Sequence, residues 1–467
     1  MDYGKLFFCG FDDFNDEVVE IIEKYSPAGI LIYPGLLSKE YLFLDFLNFL
    51  SKKGKFLVSS DHEGGQLEVL KYIPSSPGNL SLGRVDSSYT EKYCELSGKI
   101  MNVLGFNMVF APVLDLFFKG SAPVVDLRSF GSDPKLVAQH GLKACSGYLR
   151  SGVFPCVKHY PGHGRAKKDS HYELPEVDAT LEELWETDLY PFRRVLEEVK
   201  DATVMTAHIR YPKIDDLPAT LSKVLIKDIL RERIGFKGLV VSDAMEMKAI
   251  SANFSVEEIV KLFFQAGGNM ILLSDYRNLP VYYETLKRLV KDEEIEKDVL
   301  ERSVKIVEEY LRKAKFSGGF GFLSEVSEKA LLFKEDVSLS NEEEVVVLVP
   351  SSENLSPADL TGLDYDEIPK VVSRFFKVKE VIRYNVTKGP EKKVENGLIL
   401  DFVVNASMNE EALKAHLELP AEKTTYFVIR NPSDWKHFKD RRFVVTLSTK
   451  PLSIYKALRH LVGRCDA

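Results

Sequence analysis

The stretch from Val153 to His171 reads VFPCVKHYPGHGRAKKDSH, and its two halves obey different rules. Val153, Phe154, Cys156 and Val157 form an apolar run that ends in Lys158 and His159, which predicts a buried strand delivering two polar side chains to its carboxyl end. Pro161, Gly162 and Gly164 then forbid regular structure. Arg165 to Lys168 is a charged loop without an apolar anchor, so Asp169 and His171 are expected on a mobile flap above the floor made by Lys158 and His159. A polar floor under a movable lid is an active-site arrangement. Three of the nine histidines fall here. One histidine alone would read as a satisfied local hydrogen bonder; this cluster, with glycines that let backbone approach a ligand, points to function. Metal ligation fits poorly. There is no His-Glu-x-x-His, and a proline-glycine turn separates the candidates, so no metal or other cofactor is expected.

Working outward, short apolar runs alternate with amphipathic helical patterns. The runs are Leu6–Phe11, Gly29–Tyr33, Phe56–Asp61, Asn107–Asp115, Val153–Tyr160, Thr203–Ile209, Leu239–Asp243 and Asn269–Asp275. Helical periodicity marks Asp133–Leu149, Leu181–Val199 and Val256–Ala266 between them. This alternation implies a parallel sheet, and eight such strands are what a (β/α)8 TIM-type barrel needs. Asp61, Asp115, Lys158 with His159, His208, Asp243 and Asp275 stand at the carboxyl ends, which meet on the face where barrels build active sites. Asp115 and Asp275 read equally well as helix caps or loop solvation. A charged helix, Glu294–Lys313, precedes glycines 318, 319 and 321. Beyond them lie strand candidates Val345–Val349, Leu398–Val404, Thr425–Ile429 and Phe443–Leu447 and a last helix, Ser453–Leu461. The expected fold is therefore α/β: a catalytic barrel over 1–316, a linker over 317–342 and a smaller α/β domain over 343–467.

A chain of 467 residues exceeds what one core usually supports. Hydrophobic residues at 45% and charged residues at 28% describe an ordinary globular composition. The net charge of −8, with no basic face, argues against a nucleic-acid partner. Neither a leader peptide nor a stretch long enough to span a bilayer is evident, so no membrane partner is expected. Five scattered cysteines inside apolar runs read as reduced, buried thiols, which places the protein in the cytoplasm. Glutamine occurs only at positions 66, 139 and 265 amid abundant lysine and glutamate, a bias of proteins from hot environments.

Several linked motifs carry a resemblance. Lys158-His159-Tyr160-Pro161-Gly162-His163-Gly164 followed by Asp169-Ser170-His171, and Ser242-Asp243-Ala244-Met245-Glu246-Met247, resemble the bacterial β-N-acetylglucosaminidases of glycoside hydrolase family 3. Asp61-x-Glu63-Gly64-Gly65, Phe110 to Asp115, Arg128-Ser129-Phe130-Gly131 and Val204 to His208 extend it across the barrel in the same order. The resemblance implies that Asp243 is the nucleophile, His171 the acid/base and Asp169 the carboxylate partner of that histidine. It also implies substrate contacts from Asp61, Arg128, Lys158, His159 and His208. Two departures stand out: Gln66 and Val69 occupy positions where the family often has arginines, and the carboxyl-terminal domain is short, matching only through Val444 to Gly463.

The chemistry agrees with these assignments. A retaining glycosidase needs a carboxylate that attacks the anomeric carbon and a group that first protonates the leaving oxygen and then deprotonates water. Histidine can do the second because its pKa lies near operating pH, and an adjacent aspartate orients the ring. Such a histidine repels an anionic acceptor less than a carboxylate would, so phosphate stays open as acceptor. The expected function is removal of terminal β-linked N-acetylglucosamine from cell-wall muropeptide or chitin-type oligosaccharides, with a small carbohydrate as the partner. The competing readings are a β-glucosidase or β-N-acetylglucosaminide phosphorylase on the same barrel, a non-catalytic sugar-binding protein, and a metal-dependent hydrolase.

Overall fold

The structure is a computed structural model that describes residues 2–122, 124–170, 172–334, 337–351, 365–391, 394 and 397–463. His171, singled out above, and Cys465, the last of the five cysteines, lie outside the described residues. The chain divides into two compact units, 1–39 with 49–320 and 40–48 with 321–467.

The first unit is built on eight parallel strands: β1 (Phe7–Phe11), β2 (Gly29–Ile32), β3 (Leu57–Ser59), β4 (Met108–Val109), β5 (Phe154–Tyr160), β6 (Thr203–Thr206), β7 (Val240–Ala244) and β8 (Met270–Leu273). Their order is β3-β2-β1-β8-β7-β6-β5-β4. Both faces of each strand are covered, which is why GILI, TVMT and MILL carry so little polar alternation. The two ends of that order meet through Asn107. Its backbone amide donates to Val58 O at 3.1 Å, and its side chain accepts from Val58 N at 2.8 Å and donates to Phe56 O at 2.8 Å. One buried asparagine thus supplies the hydrogen bonds that the short β4 lacks, and the sheet closes as the expected barrel.

Helix boundaries follow their caps. Ser255 and Glu258 form a capping box that starts Val256–Ala266, and Gly267, at φ 100°, ends it. The expected helix over Leu181–Val199 is broken at Thr187–Asp188 into Leu181–Glu186 and Leu189–Glu198. The break frees Thr187 and Asp188 to grip another segment, described below.

The second unit holds a six-stranded sheet. Leu398–Val403, Thr424–Val428, Arg442–Val445 and Glu344–Pro350 match the expected strands, and Pro451–Leu461 is the last helix. A further edge strand, Lys377–Tyr384, was not legible because its KVKE start carries charge where an interior strand carries apolar residues. Residues 40–48 of the helix Glu40–Lys53 also belong to this unit. There Asp45, 2% exposed, accepts from Ser324 Oγ at 2.6 Å and pairs with Lys456 at 2.8 Å and Arg459 at 3.1 Å.

Candidate active site

A cleft of about 860 Å³ opens at the carboxyl ends of the barrel strands. Asp61, Arg128, Lys158, His159 and Asp243 line it together with Tyr33, Gln66, Val69, His163, Ser170 and Glu246. Five of the expected site residues therefore share one wall space although their codons lie far apart.

Two irregularities of register aim the central side chains. Along β7, Val241 pairs with Met270 and Ala244 with Leu272, so one extra residue is accommodated on the β7 side at Ser242 and Asp243. Ser242 Oγ compensates by accepting from Leu272 N at 2.9 Å. Along β5, Val157 pairs with Val204 and Tyr160 with Thr206, giving the same surplus at Lys158 and His159. An extra residue in a strand re-aims its side chains, and here both bulges fall on the expected chemistry.

A chain of charge runs through the cleft floor. Arg128 grips Glu63 with two parallel hydrogen bonds, Nε to Oε2 at 2.8 Å and Nη2 to Oε1 at 2.7 Å. Lys158 Nζ lies 2.7 Å from Glu63 Oε1 and 2.8 Å from Asp61 Oδ1. Burial would raise the Glu63 carboxyl, but Arg128 and Lys158 outweigh it and hold Glu63 well below the usual carboxylate range. Burial likewise works against the Lys158 ammonium, and Asp61 and Glu63 more than restore it. Glu63, fully buried on its side chain, fixes both cations. It was quoted in the sequence only as part of a motif; an acidic residue two places after Asp61 at a strand end was its signal.

Asp115 proves to be a positioning group. It is 1% exposed, accepts from His159 N at 3.2 Å and His163 N at 2.6 Å, and lies 2.7 Å from His159 Nδ1. A carboxylate only accepts, so Nδ1 carries a proton, and Nε2 lies 3.5 Å from Arg128 Nη2. Asp275, by contrast, caps the turn Tyr276–Asn278 and pairs with exposed Arg277, which is the capping reading.

Asp243 accepts from the Ala244 amide at 2.8 Å. Burial opposes its charge, yet His208, His159, the Ala244 amide and Lys158 together hold its carboxyl below the ordinary value. It is therefore ionised at neutral pH. The sequence expects His208 to touch substrate; in the structure it is fully buried and is not among the residues that line the cleft. Its Nδ1 lies 2.9 Å from Thr220 Oγ1 and its Nε2 3.0 Å from Ala244 O, so both nitrogens are engaged with protein.

Tyr33 and Glu246 were not expected. Gly10 makes room for Tyr33, since a Cβ there would stand 2.4 Å from the ring. Burial and the carboxylates of Asp61, Glu246 and Asp243 raise the Tyr33 phenol, so it stays a donor. Glu246 accepts from Ser274 N at 3.0 Å, Asp275 N at 3.2 Å and Asn278 Nδ2 at 3.0 Å, tying the loops after β7 and β8.

The loop after β5 is better anchored than its sequence suggests. Ala166 is fully buried and its carbonyl accepts from Ala122 N at 2.8 Å. Arg165 donates to Asp188 at 2.7 Å and Thr187 at 2.9 Å, the residues at the helix break, and stacks 4.7 Å from the Phe118 ring centroid. The expectation of a free flap over Arg165–Lys168 is corrected accordingly: only Lys167 and Lys168 are exposed. Half-buried Asp169 turns the chain, its carbonyl accepting from the amides of Tyr172 and Glu173. No cluster of three or more His, Cys, Asp or Glu residues placed for a metal ion occurs among the described residues.

The family model described as "Glycosyl hydrolase family 3 N terminal domain" matches residues 4–309. The chain belongs to glycosyl hydrolase family 3. A second model, "Beta-N-acetylglucosaminidase, C-terminal domain", matches residues 343–461. The β-N-acetylglucosaminidase of Thermotoga maritima is 63% identical, with a TM-score of 0.93 over 98% of this chain and 99% of that one. CbsA of Thermotoga neapolitana, solved with zinc bound, is 60% identical, with a TM-score of 0.94 over 100% of both chains. Beta-hexosaminidase A of Pseudoalteromonas piscicida is 29% identical over 55% of this chain. The chain spans 47% of that curated relative's length. The family expected from the motifs is the one found.

Proposed function

We propose that the chain is a retaining exo-β-N-acetylglucosaminidase acting through a covalent glycosyl-enzyme intermediate. The observation that carries this reading is an Asp243 carboxylate held below its ordinary pKa and set by a strand bulge into the cleft that Arg128 and Lys158 also line. In this account Asp243 attacks the anomeric carbon, while His171, oriented by Asp169, protonates the departing oxygen and then removes a proton from water. Asp61, Arg128, Lys158 and His159 hold the sugar's hydroxyl and acetamido groups, and the protonated Tyr33 adds a donor. His208 acts at one remove, through Asp243. Zinc is given no step.

The name of the Thermotoga maritima relative supports the N-acetylglucosamine specificity. Muropeptide or chitin-type fragments are the proposed substrates, and the proposed pathway is peptidoglycan recycling when the aglycone is muramic. A cytoplasmic setting is supported by the four described cysteines, all buried and unpaired. No helix among the described residues is long and apolar enough to cross a membrane.

The test is product analysis on an aryl β-N-acetylglucosaminide with and without phosphate. Initial release of the β-anomer of N-acetylglucosamine, at a rate independent of phosphate, is expected. The α-anomer as first product, or N-acetylglucosamine 1-phosphate, would overturn retention or hydrolysis respectively. Comparing kcat/KM for chitobiose and for a muropeptide disaccharide then chooses the aglycone.

A further inference from the structure

We infer that His163 is a positioning residue: from the fixed floor of the cleft it holds Ser170, and through Ser170 the backbone that carries the acid/base pair. The inference rests on the glycosidase reading above and concerns how that site keeps its general acid in place.

His163 is 3% exposed and Ser170 2%, and His163 Nε2 lies 3.1 Å from Ser170 Oγ. Asp115 fixes the near end of this link, accepting from the His163 amide at 2.6 Å. Ala249, in the segment after the nucleophile strand, fixes the far end, its amide donating to Ser170 O at 3.3 Å. Between the two pins, Gly164 O accepts from Ser121 Oγ at 2.6 Å and Ala166 O accepts from Ala122 N at 2.8 Å, so only Lys167 and Lys168 stand exposed. Ser170 stands between Asp169 and His171 in the chain. A hydrogen bond to its side chain therefore ties the backbone next to Asp169 to the floor.

The ring itself argues that the link is not there for packing alone. His159 engages both of its nitrogens with protein, and so does His208. His163 engages one, and its buried Nδ1 has no partner among the described residues. A buried polar atom left unsatisfied opposes stability, so such an imidazole calls for another explanation. Burial pulls its pKa down to about 4, which keeps the ring uncharged beside the acid/base loop and spares the general acid a competing cation. The close tilt of His163 against His159, 5.9 Å between centroids, couples the link to the sugar-binding floor.

Ser170→Ala removes the link without touching the floor. In pre-steady-state measurement of the glycosylation step, cleavage of an unactivated N-acetylglucosamine disaccharide is expected to fall about tenfold, part of the roughly 10²–10⁴-fold that general acid catalysis supplies. Cleavage of a dinitrophenyl glycoside, which needs no proton, should fall about twofold, with KM unchanged for both. Ser170→Thr keeps the hydroxyl and should restore most of the loss. His163→Ala should copy Ser170→Ala, and the double variant should be no worse than either single one, because both break one link. Equal losses on the two substrates, full additivity, or wild-type rates in Ser170→Ala would overturn the inference. Wild-type activity on the dinitrophenyl glycoside, measured alongside, separates that result from failure of the glycosidase reading itself.

Discussion

At the scale of single residues, the site works by matching charge to burial. Asp243 is kept ionised against its surroundings, so Asp243→Asn should lower kcat by at least about 10³-fold while thermal unfolding stays close to wild type, since the amide keeps the shape and loses the nucleophile. Retained turnover in that variant would remove Asp243 from the role. His208 is the foremost group opposing the burial of that charge. His208→Gln should therefore raise the Asp243 pKa and move the acid limb of the kcat/KM profile to higher pH; an unmoved limb would contradict the assignment. Lys158→Ala and Arg128→Ala should weaken both binding and turnover without changing the bond cleaved, and wild-type kinetics in both would show that the cations do not hold the sugar. Most of these residues could be read from sequence because polar side chains ended apolar runs at Asp61, Lys158 and Asp243. Glu63 and Tyr33 could not be ranked, because only the fold brings Glu63 between two cations and sets Tyr33 over Gly10.

At the scale of elements, the decisive features are small departures from regularity. Buried parallel strands announce themselves as apolar runs, and all eight were legible for that reason. The bulges at Ser242–Asp243 and Lys158–His159 were not, because register depends on the neighbouring strand. The helix break at Thr187–Asp188 was hidden for a related reason: its side chains serve Arg165, whose loop looked unanchored when read alone. Arg165→Ala should leave Asp188 buried without its cation and free the first half of the loop. Hydrogen exchange over 163–170 is expected to quicken while the barrel strands stay protected, and unchanged exchange there would show that Ala166 and Ser121 suffice. Gln66 and Val69 line the cleft at positions where arginines were anticipated, so the proposed sugar clamp is left to Arg128 and Lys158.

At the scale of the whole molecule, stability and function share the same buried charges. Glu63 has a folded pKa below its unfolded value, so the stabilisation it contributes is complete above the unfolded carboxylate pKa of about 4.3 and is lost as pH falls toward the folded one. Glu63→Gln should therefore cost about 3–5 kcal/mol near neutrality, by stranding Arg128 and Lys158, and should flatten the loss of Tm below about pH 4. An equally steep acid slope in the variant would contradict this. The second unit repeats the theme at Asp45, where helix residues far from 456 and 459 in sequence join them, a grouping no local pattern could reveal. The central claim remains covalent catalysis at Asp243, and the most direct measurement is trapping with a mechanism-based fluorinated N-acetylglucosaminyl donor followed by peptide mapping. The account predicts one sugar per chain, esterified to Asp243 within the peptide that holds Ser242 to Met247; a label on any other residue, or steady turnover with no trapped ester, would contradict it.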